Sequence, residues 1–145
     1  MHRPIGRSAV LAFAVFAAAC GRGDGAATSP SEAPTFQGAY VLQTVNAAPL
    51  PYVLIEVGDL KSEIVGDQVT FENNGTFKRV IRVRNSQNGV TTIDVQPGSG
   101  SYSVSGKSMT LRFNSDGSTA TVALGNGTLS YYEPVFRGTW SYRRQ

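Results

Sequence analysis

Residue pairs that favour tight turns recur along most of this chain, and their spacing limits the folds available to it. After residue 36, asparagine or aspartate precedes glycine at four places, Asn74-Gly75, Asn88-Gly89, Asp116-Gly117 and Asn126-Gly127, and Pro97-Gly98 and Ser105-Gly106 stand between them. Such residues accept the backbone angles of two-residue hairpin turns. Because the pairs lie mostly about 8 to 14 residues apart, they predict short strands joined by hairpins.

Apolar and polar residues alternate between these turns, as expected for strands with one buried and one solvent-facing side. No segment after residue 36 has the period of an amphipathic helix, so the pattern predicts an all-β domain. The least clear segment is 53–65, where Gly58 interrupts whatever element forms. The predicted buried positions are Val69, Phe71, Phe77, Ile81, Val83, Met109, Leu111, Phe113, Ala120, Val122, Leu124, Leu129 and Tyr131.

Two similar segments stand at the ends of this region, Phe36-Gln37-Gly38-Ala39-Tyr40 and Phe136-Arg137-Gly138-Thr139-Trp140. Glycine inside a strand marks a bend or a place where another group approaches the backbone closely. We expect the strands around 38–42 and 138–142 to pair, which would close the sheet into a barrel and remove its free edges. A two-sheet sandwich with open edges is the alternative.

Residues 1–19 have the order of a secretory signal peptide: positive charge, a short apolar run, then small residues. The apolar run is well short of the roughly 20 residues needed to span a bilayer. Ala17-Ala18-Ala19-Cys20 resembles the lipobox of bacterial lipoproteins, in which the cysteine is lipidated and the preceding peptide is removed. Cys20 is the only cysteine in the chain, which favours a lipidated thiol. A free thiol behind an ordinary signal peptide is the alternative.

Residues 21–35 are rich in glycine, alanine, serine and proline and have no apolar period, so they predict a flexible tether. The sequence therefore predicts three parts: a lipoprotein signal peptide at 1–19, the lipidated cysteine and linker at 20–35, and one β-barrel domain at 36–145.

Three sets of segments stand out in the predicted domain: the run from Gly38-Ala39-Tyr40-Val41-Leu42 through Val45-Asn46-Ala47-Ala48-Pro49-Leu50-Pro51, Gly66-Asp67-Gln68-Val69-Thr70-Phe71 with Asn74-Gly75-Thr76-Phe77, and Met109-Thr110-Leu111 with Asp116-Gly117-Ser118. In these segments the domain resembles the lipocalin-like domains of bacterial lipoproteins. The resemblance covers most of 36–143 and implies a small antiparallel up-and-down β-barrel of about eight strands. It implies no catalytic residue, because the family has none in common.

The scarcity of histidine and cysteine excludes several classes of enzyme. His2, the only histidine, lies in the predicted signal peptide, so the mature chain lacks a Ser-His-Asp or Cys-His nucleophile and the ligands of a zinc site. Loss of Arg3 and Arg7 would leave 11 of the 13 basic residues against 10 acidic ones, which disfavours nucleic acid as a partner. The acidic residues at 59–67 lack the spacing of a calcium loop. We predict no catalytic residue, metal or cofactor.

Arg79 lies on the predicted apolar side of its strand, within the segment of densest charge at 78–84. Two positions are open for its side chain: the rim of the barrel, which we favour, or the interior, where it would need a carboxylate partner. The aromatic residues near the end of the chain are mainly predicted core, and they would line a ligand pocket if the barrel were hollow. The candidate ligand-binding residues are Arg79, Tyr131, Phe136 and Trp140.

Two functions remain open. The first is a non-enzymatic cell-envelope lipoprotein, bound to a membrane through Cys20, whose barrel binds a small apolar ligand or an envelope partner. The second is a structural or interaction module with a filled barrel. A carboxylate-dependent hydrolase is a more distant third. In some bacteria, an aspartate directly after the lipidated cysteine retains a lipoprotein at the inner membrane, and this chain has Gly21 at that position. We therefore favour the outer membrane, with the domain facing the periplasm or the exterior.

Overall fold

A computed structural model describes residues 36–145 of the chain. The predicted signal peptide, Cys20 and the linker lie outside these residues. Within 36–145 the secondary structure is entirely β, and this part of the chain includes no helix long and apolar enough to cross a membrane. The strands are β1 Gly38–Val45, β2 Ala48–Pro49, β3 Tyr52–Val57, β4 Leu60–Phe71, β5 Thr76–Gln87, β6 Val90–Ser105, β7 Ser108–Phe113, β8 Thr119–Leu124, β9 Thr128–Glu133 and β10 Gly138–Arg144.

Eight of these strands form a closed antiparallel barrel, and β2 and β3 are additions to it. The strands from β4 to β10 pair in sequence order, and β1 closes the barrel because it pairs with β10 on one side and with β4 on the other. Leu42 lies opposite Tyr142, and Val45 lies opposite Trp140. The predicted pairing of the first and last strands is therefore confirmed, and the sandwich alternative is wrong.

The asparagine–glycine and aspartate–glycine pairs lie at the predicted hairpin turns, between β4 and β5, β5 and β6, β7 and β8, and β8 and β9. Two details of the sequence interpretation were incomplete or wrong. Pro97-Gly98 lies inside β6, where both residues pair with β5. The unclear segment around Gly58 is a hairpin, in which Gly58 has a φ of 57° in the turn between β3 and β4.

Buried apolar side chains form one cluster in the interior of the barrel, as the alternation of the sequence predicted. Burial of each large apolar side chain contributes about 1.5–3 kcal/mol to stability. Gly138 faces this interior, and a Cβ atom there would come within 3.1 Å of Val45 Cγ1. The buried apolar residues include Tyr40, Leu42, Val45, Ile64, Val69, Phe71, Phe77, Ile81, Val83, Met109, Leu111, Ala120, Val122, Leu129, Tyr131, Trp140 and Tyr142.

At one end of the barrel the sheet continues as an open four-stranded extension in the order β3-β4-β5-β6. The first half of β4 pairs with β3, from Leu60 to Ile64, whereas its last residues pair with β1. The first half of β6 pairs with β5 alone, because β7 begins to pair with β6 only at Gly100. The extension therefore has two sheet edges, one on β3 and one on β6.

Candidate functional site

The side chain of Arg79 lies inside the barrel, on the same side of β5 as Phe77 and Ile81. Only 6% of its surface is exposed. The rim position that we favoured from the sequence is therefore wrong, and the interior alternative is correct. Alternation decides this outcome: β5 runs through Arg79 without a bulge, so the residue keeps the inward direction of its apolar neighbours.

Two buried carboxylates hold the Arg79 guanidinium. Asp67 Oδ2 accepts a hydrogen bond from Arg79 Nε at 2.8 Å and also lies 2.8 Å from Arg79 Nη2 in an ion pair. Glu133 Oε2 lies 3.0 Å from Arg79 Nη1. Asp67 is 1% exposed and Glu133 is 6% exposed, so all three charges are withdrawn from water. A buried arginine is tolerated only with such partners, because an unpaired charge in the interior is very costly.

Three aromatic residues complete the surroundings of Arg79. The Tyr142 hydroxyl donates to Asp67 Oδ2 at 2.6 Å, and the Tyr131 hydroxyl donates to Glu133 Oε2 at 3.2 Å. The guanidinium carbon lies 5.0 Å from the centre of the Trp140 ring and 5.8 Å from that of Tyr131. At these distances the guanidinium makes cation–π interactions with both rings, and such interactions are stronger when water is excluded. The six residues, Arg79, Asp67, Glu133, Tyr131, Trp140 and Tyr142, are called the interior cluster below.

All four residues predicted as ligand contacts belong to or touch the interior cluster. Trp140 is directly opposite Tyr131 across β9 and β10, and the Phe136 ring lies 5.5 Å from the Trp140 ring. The structure thus brings Arg79, Tyr131, Phe136 and Trp140 together.

Asp67 and Glu133 were not predicted as partners of Arg79, although the sequence contains the signal. Asp67 is in phase with Val69 and Phe71, and Glu133 is in phase with Leu129 and Tyr131. Alternation therefore points both carboxylates inward, as it does Arg79. One basic and two acidic residues that all point inward would have predicted an ion pair in the core.

Burial and charge act in opposite directions within the interior cluster. Burial disfavours the charge of Arg79, but the oxygens of Tyr142 and Asp67 outweigh it and raise its pKa, so the guanidinium stays charged. Burial raises the pKa of Asp67, and attraction to Arg79 offsets only part of this rise. Burial also raises the pKa values of Tyr131 and Tyr142, so both phenols stay protonated and donate to the carboxylates.

The arrangement is suited to holding the barrel together rather than to catalysis. A general base must reach a proton on a substrate, whereas Asp67 and Glu133 are buried and bound to Arg79. Two buried atoms of the described residues, Asp67 Oδ1 and Trp140 Nε1, have no hydrogen-bond partner. An unsatisfied carboxylate oxygen disfavours the charged form, which agrees with the raised pKa of Asp67.

The pKa of Asp67 predicts an unusual pH dependence of stability. Asp67→Asn removes this titration, and we compare the free energies of unfolding of wild type and variant in urea at several pH values. The folded chain keeps the Asp67 proton above pH ~4, where the unfolded chain releases it. The stability of wild type relative to Asp67→Asn should therefore fall as the pH rises from about 4 through the raised pKa.

Asp116→Asn is the control with the opposite sign. A backbone hydrogen bond from Ser118 lowers the pKa of Asp116, so the stability of wild type relative to this variant should fall as the pH is lowered through that pKa. If wild type gained stability over Asp67→Asn with rising pH, pairing with Arg79 would dominate over burial and our assignment would be wrong.

Three surface clefts of the described residues lie away from the four residues predicted to bind a ligand, although Tyr142 of the interior cluster lines one of them. One, of about 330 Å³, is lined by Phe36, Lys107 and Leu124; a second, of about 440 Å³, lies along β9 and β10; a third, of about 340 Å³, lies on the open extension. None of the three is lined by Arg79, Tyr131, Phe136 or Trp140. Among residues 36–145, no group of three or more acidic, histidine or cysteine side chains is placed to hold a metal ion.

Comparisons of the whole chain with protein-family models and with curated proteins found no match.

Proposed function

We propose that this chain is a non-enzymatic, lipocalin-like lipoprotein of the bacterial cell envelope. A lipid on Cys20 holds it at a membrane, and of the two membranes we favour the outer one. In this proposal the barrel is a filled scaffold, and the protein acts through its outer surface as a structural or interaction module. A small apolar ligand inside the barrel, the first of the two functions considered from the sequence, is the less favoured version.

The observation that carries this choice is the interior cluster. Arg79 lies between Trp140 and Tyr131, and its charge is held by Asp67 and Glu133. A ligand pocket in a small barrel needs a mostly apolar wall around free space. Here the interior cluster places paired charges and buried aromatic rings inside the barrel instead. Entry of an apolar ligand would separate Arg79 from its carboxylates, at a cost of several kcal/mol.

The anchor is supported by the sequence alone. Charge, a short apolar run and Ala18-Ala19-Cys20 follow one another in the order of a lipoprotein signal. Several acyl chains on one residue, at about 0.8 kcal/mol per buried CH₂, give stable rather than transient attachment. The nearly balanced charge of the mature chain leaves the lipid as the main source of membrane binding.

One experiment with two measurements tests the proposal on the full chain. Cys20→Ser should abolish acyl labelling and move the protein from the membrane fraction to the soluble fraction. Unchanged labelling or unchanged membrane association would contradict the anchor. This substitution lies outside the barrel domain, so the circular dichroism of the variant should match that of the wild type.

The second measurement uses Trp140, the only tryptophan of the chain. Its ring is fully buried, so its emission should already be that of a dry environment. Titration with fatty acids or isoprenoid lipids should leave this emission unchanged. A saturable shift would favour the ligand-binding version over the filled scaffold.

A further inference from the structure

The first half of β6 is a long, regular sheet edge. β6 and β5 pair without interruption through twelve residue pairs, from Thr76 opposite Ser101 to Gln87 opposite Val90. β7 pairs only with residues 100–105 of β6. Within the described chain, residues 90–98 therefore have a strand on one side only.

This edge has little of the protection that natural sheets give to their edges. Residues 90–97 are all exposed, and they include Val90, Ile93 and Val95, with 66%, 53% and 52% of their surfaces accessible. Bulges, lysines and prolines are the usual means of blocking such an edge. Residues 90–96 contain none of these, and Asp94 is their only charge.

The other edge of the extension, on β3, is different. β3 has six residues, and a register shift between Val53 and Ile55 interrupts its pairing with β4. A bulge of this kind bends the strand and breaks the regular row of backbone groups. Of the two edges, only β6 therefore offers an uninterrupted template for another strand.

The turn before β6 determines which of its backbone groups point outward. Asn88 and Gly89 have φ angles of 50° and 76°, the angles of a two-residue hairpin turn. In such a turn the amide of Val90 bonds back to the carbonyl of Gln87. Because the direction alternates along a strand, the amides and carbonyls of Thr91, Ile93 and Val95 point to the free edge. Pro97 would be next, and it has no N–H to offer.

We propose that two copies of this chain associate through this edge, with the β6 strands antiparallel and Ile93 opposite Ile93 of the second copy. In this register Thr91 lies opposite Val95 of the second copy, and the three outward-pointing residues of each strand form about six backbone hydrogen bonds. Exposed β-branched side chains become cross-strand pairs, which stabilise an antiparallel sheet.

Charge selects the register and favours a second copy as the occupant. Like charges directly opposite one another destabilise a sheet, so a register centred on Asp94 is disfavoured. Centring on Ile93 places Asp94 opposite Thr92, whose hydroxyl can donate to the carboxylate. Arg84 lies opposite Ile93 on β5 and is already paired with Glu63, Nη2 to Oε2 at 2.7 Å. Arg84 therefore adds no unpaired charge beside the two-fold axis that passes between the two Ile93 residues.

The symmetry of the pairing limits it to two copies. Each copy uses the same edge, so a two-fold axis closes the assembly. An edge contact of this length is small beside the roughly 1,200–2,000 Å² of a standard interface, so we expect association that depends on concentration. The inference rests on the proposed function in one respect: it names one partner of the interaction module. Confinement of the chains to a membrane would favour the contact.

Cysteine pairs test the register in membranes that contain the full chain. In the proposed register Thr92 and Asp94 of opposite copies are a non-hydrogen-bonded pair, with Cα atoms about 4.5 Å apart, which suits a disulfide. Neither Thr92→Cys nor Asp94→Cys places a cysteine opposite itself. When the two variants are co-expressed and mildly oxidised, the yield of cross-linked dimer should exceed that of either variant alone by about tenfold.

Matched variants separate the β6 edge from the β3 edge. Ile93→Lys, added to both cysteine variants, should abolish the cross-link, because a lysine on the edge opposes pairing. Val57→Lys, at a residue of β3 that is 66% exposed, should leave it unchanged. Oxidation of the wild-type chain, whose only cysteine is Cys20, shows how much cross-linking occurs through that residue. Thermal unfolding followed by circular dichroism identifies variants that fail to fold.

Several outcomes would overturn the proposal. These are equal cross-linking by either cysteine variant alone, cross-linking to a different protein, or insensitivity to Ile93→Lys. Sedimentation of the purified wild-type chain in detergent as a monomer at all concentrations, or as a polymer larger than a dimer, would also overturn it, and this measurement needs no variant. Failure here leaves the anchor and the silent Trp140 fluorescence untouched, so it is distinguishable from failure of the proposed function.

Discussion

Replacement of Arg79 by leucine should lower the free energy of unfolding by about 3–5 kcal/mol, because it leaves buried carboxylates without their counter-charge. Asp67 and Glu133 both depend on this guanidinium, and leucine restores neither the charge nor the hydrogen bonds. Urea unfolding at neutral pH, followed by circular dichroism, measures the loss. It is a large share of the roughly 5–15 kcal/mol by which a domain is stable.

Arg82→Leu is the matched control, since Arg82 lies on the same strand and points to solvent. Its cost should stay within about 0.5 kcal/mol, as for most surface substitutions. A second variant separates charge from packing: replacing Arg79, Asp67 and Glu133 together by methionine, leucine and leucine should restore most of the lost stability, because apolar residues often replace a buried ion network without loss. Equal costs for Arg79→Leu and Arg82→Leu would contradict the interior placement.

Truncation of Trp140 to alanine should cost about 3–5 kcal/mol, as large-to-small changes in a core do. The ring is fully buried, stacks on Phe136 and faces the Arg79 guanidinium. Its removal therefore leaves a cavity and also takes away one side of the enclosure around a buried charge. The same urea unfolding measurement gives the loss, and a protein that no longer folds at 37 °C would agree with the prediction.

Tyr132→Ala controls for the loss of an aromatic ring in the same part of the sheet. Tyr132 neighbours Tyr131 in β9 but points outward, with 59% of its surface exposed. Its replacement should cost less than about 1 kcal/mol, and Trp140→Phe should lie between the two alanine variants, since it keeps most of the apolar volume. A cost for Trp140→Ala no larger than that for Tyr132→Ala would contradict the packing described here.

The sequence by itself determined most of the strands and turns, and the inward face of the strands that form most of the core. Four asparagine–glycine or aspartate–glycine pairs define turns because few other residues adopt their backbone angles easily. Strict alternation gives each side chain a direction, because the strand period is two residues. Even the closure of the barrel could be predicted, from the related segments that place Tyr40 and Trp140 at opposite ends of the domain.

The sequence interpretation failed where a local signal had two meanings. Proline followed by glycine predicts a turn, yet Pro97 lies in a strand with no strand on its outer side. At such an edge the missing N–H of proline costs nothing. A glycine at position 58 predicts an interruption within an element, whereas Gly58 begins the turn between β3 and β4. In both cases the decision depends on which neighbours the strand has, and the local sequence does not contain that information.

Only the tertiary structure decided what the inward-facing charges do. Alternation points Asp67, Arg79 and Glu133 into the barrel, but Arg79 and Glu133 are 54 residues apart, and their contact depends on the closure of the barrel. The same holds for β6, whose residues have the pattern of an ordinary strand although half of its edge is unpaired. The direction of a side chain is a property of its own strand, whereas its partner across the barrel is fixed by the curvature and order of all eight strands.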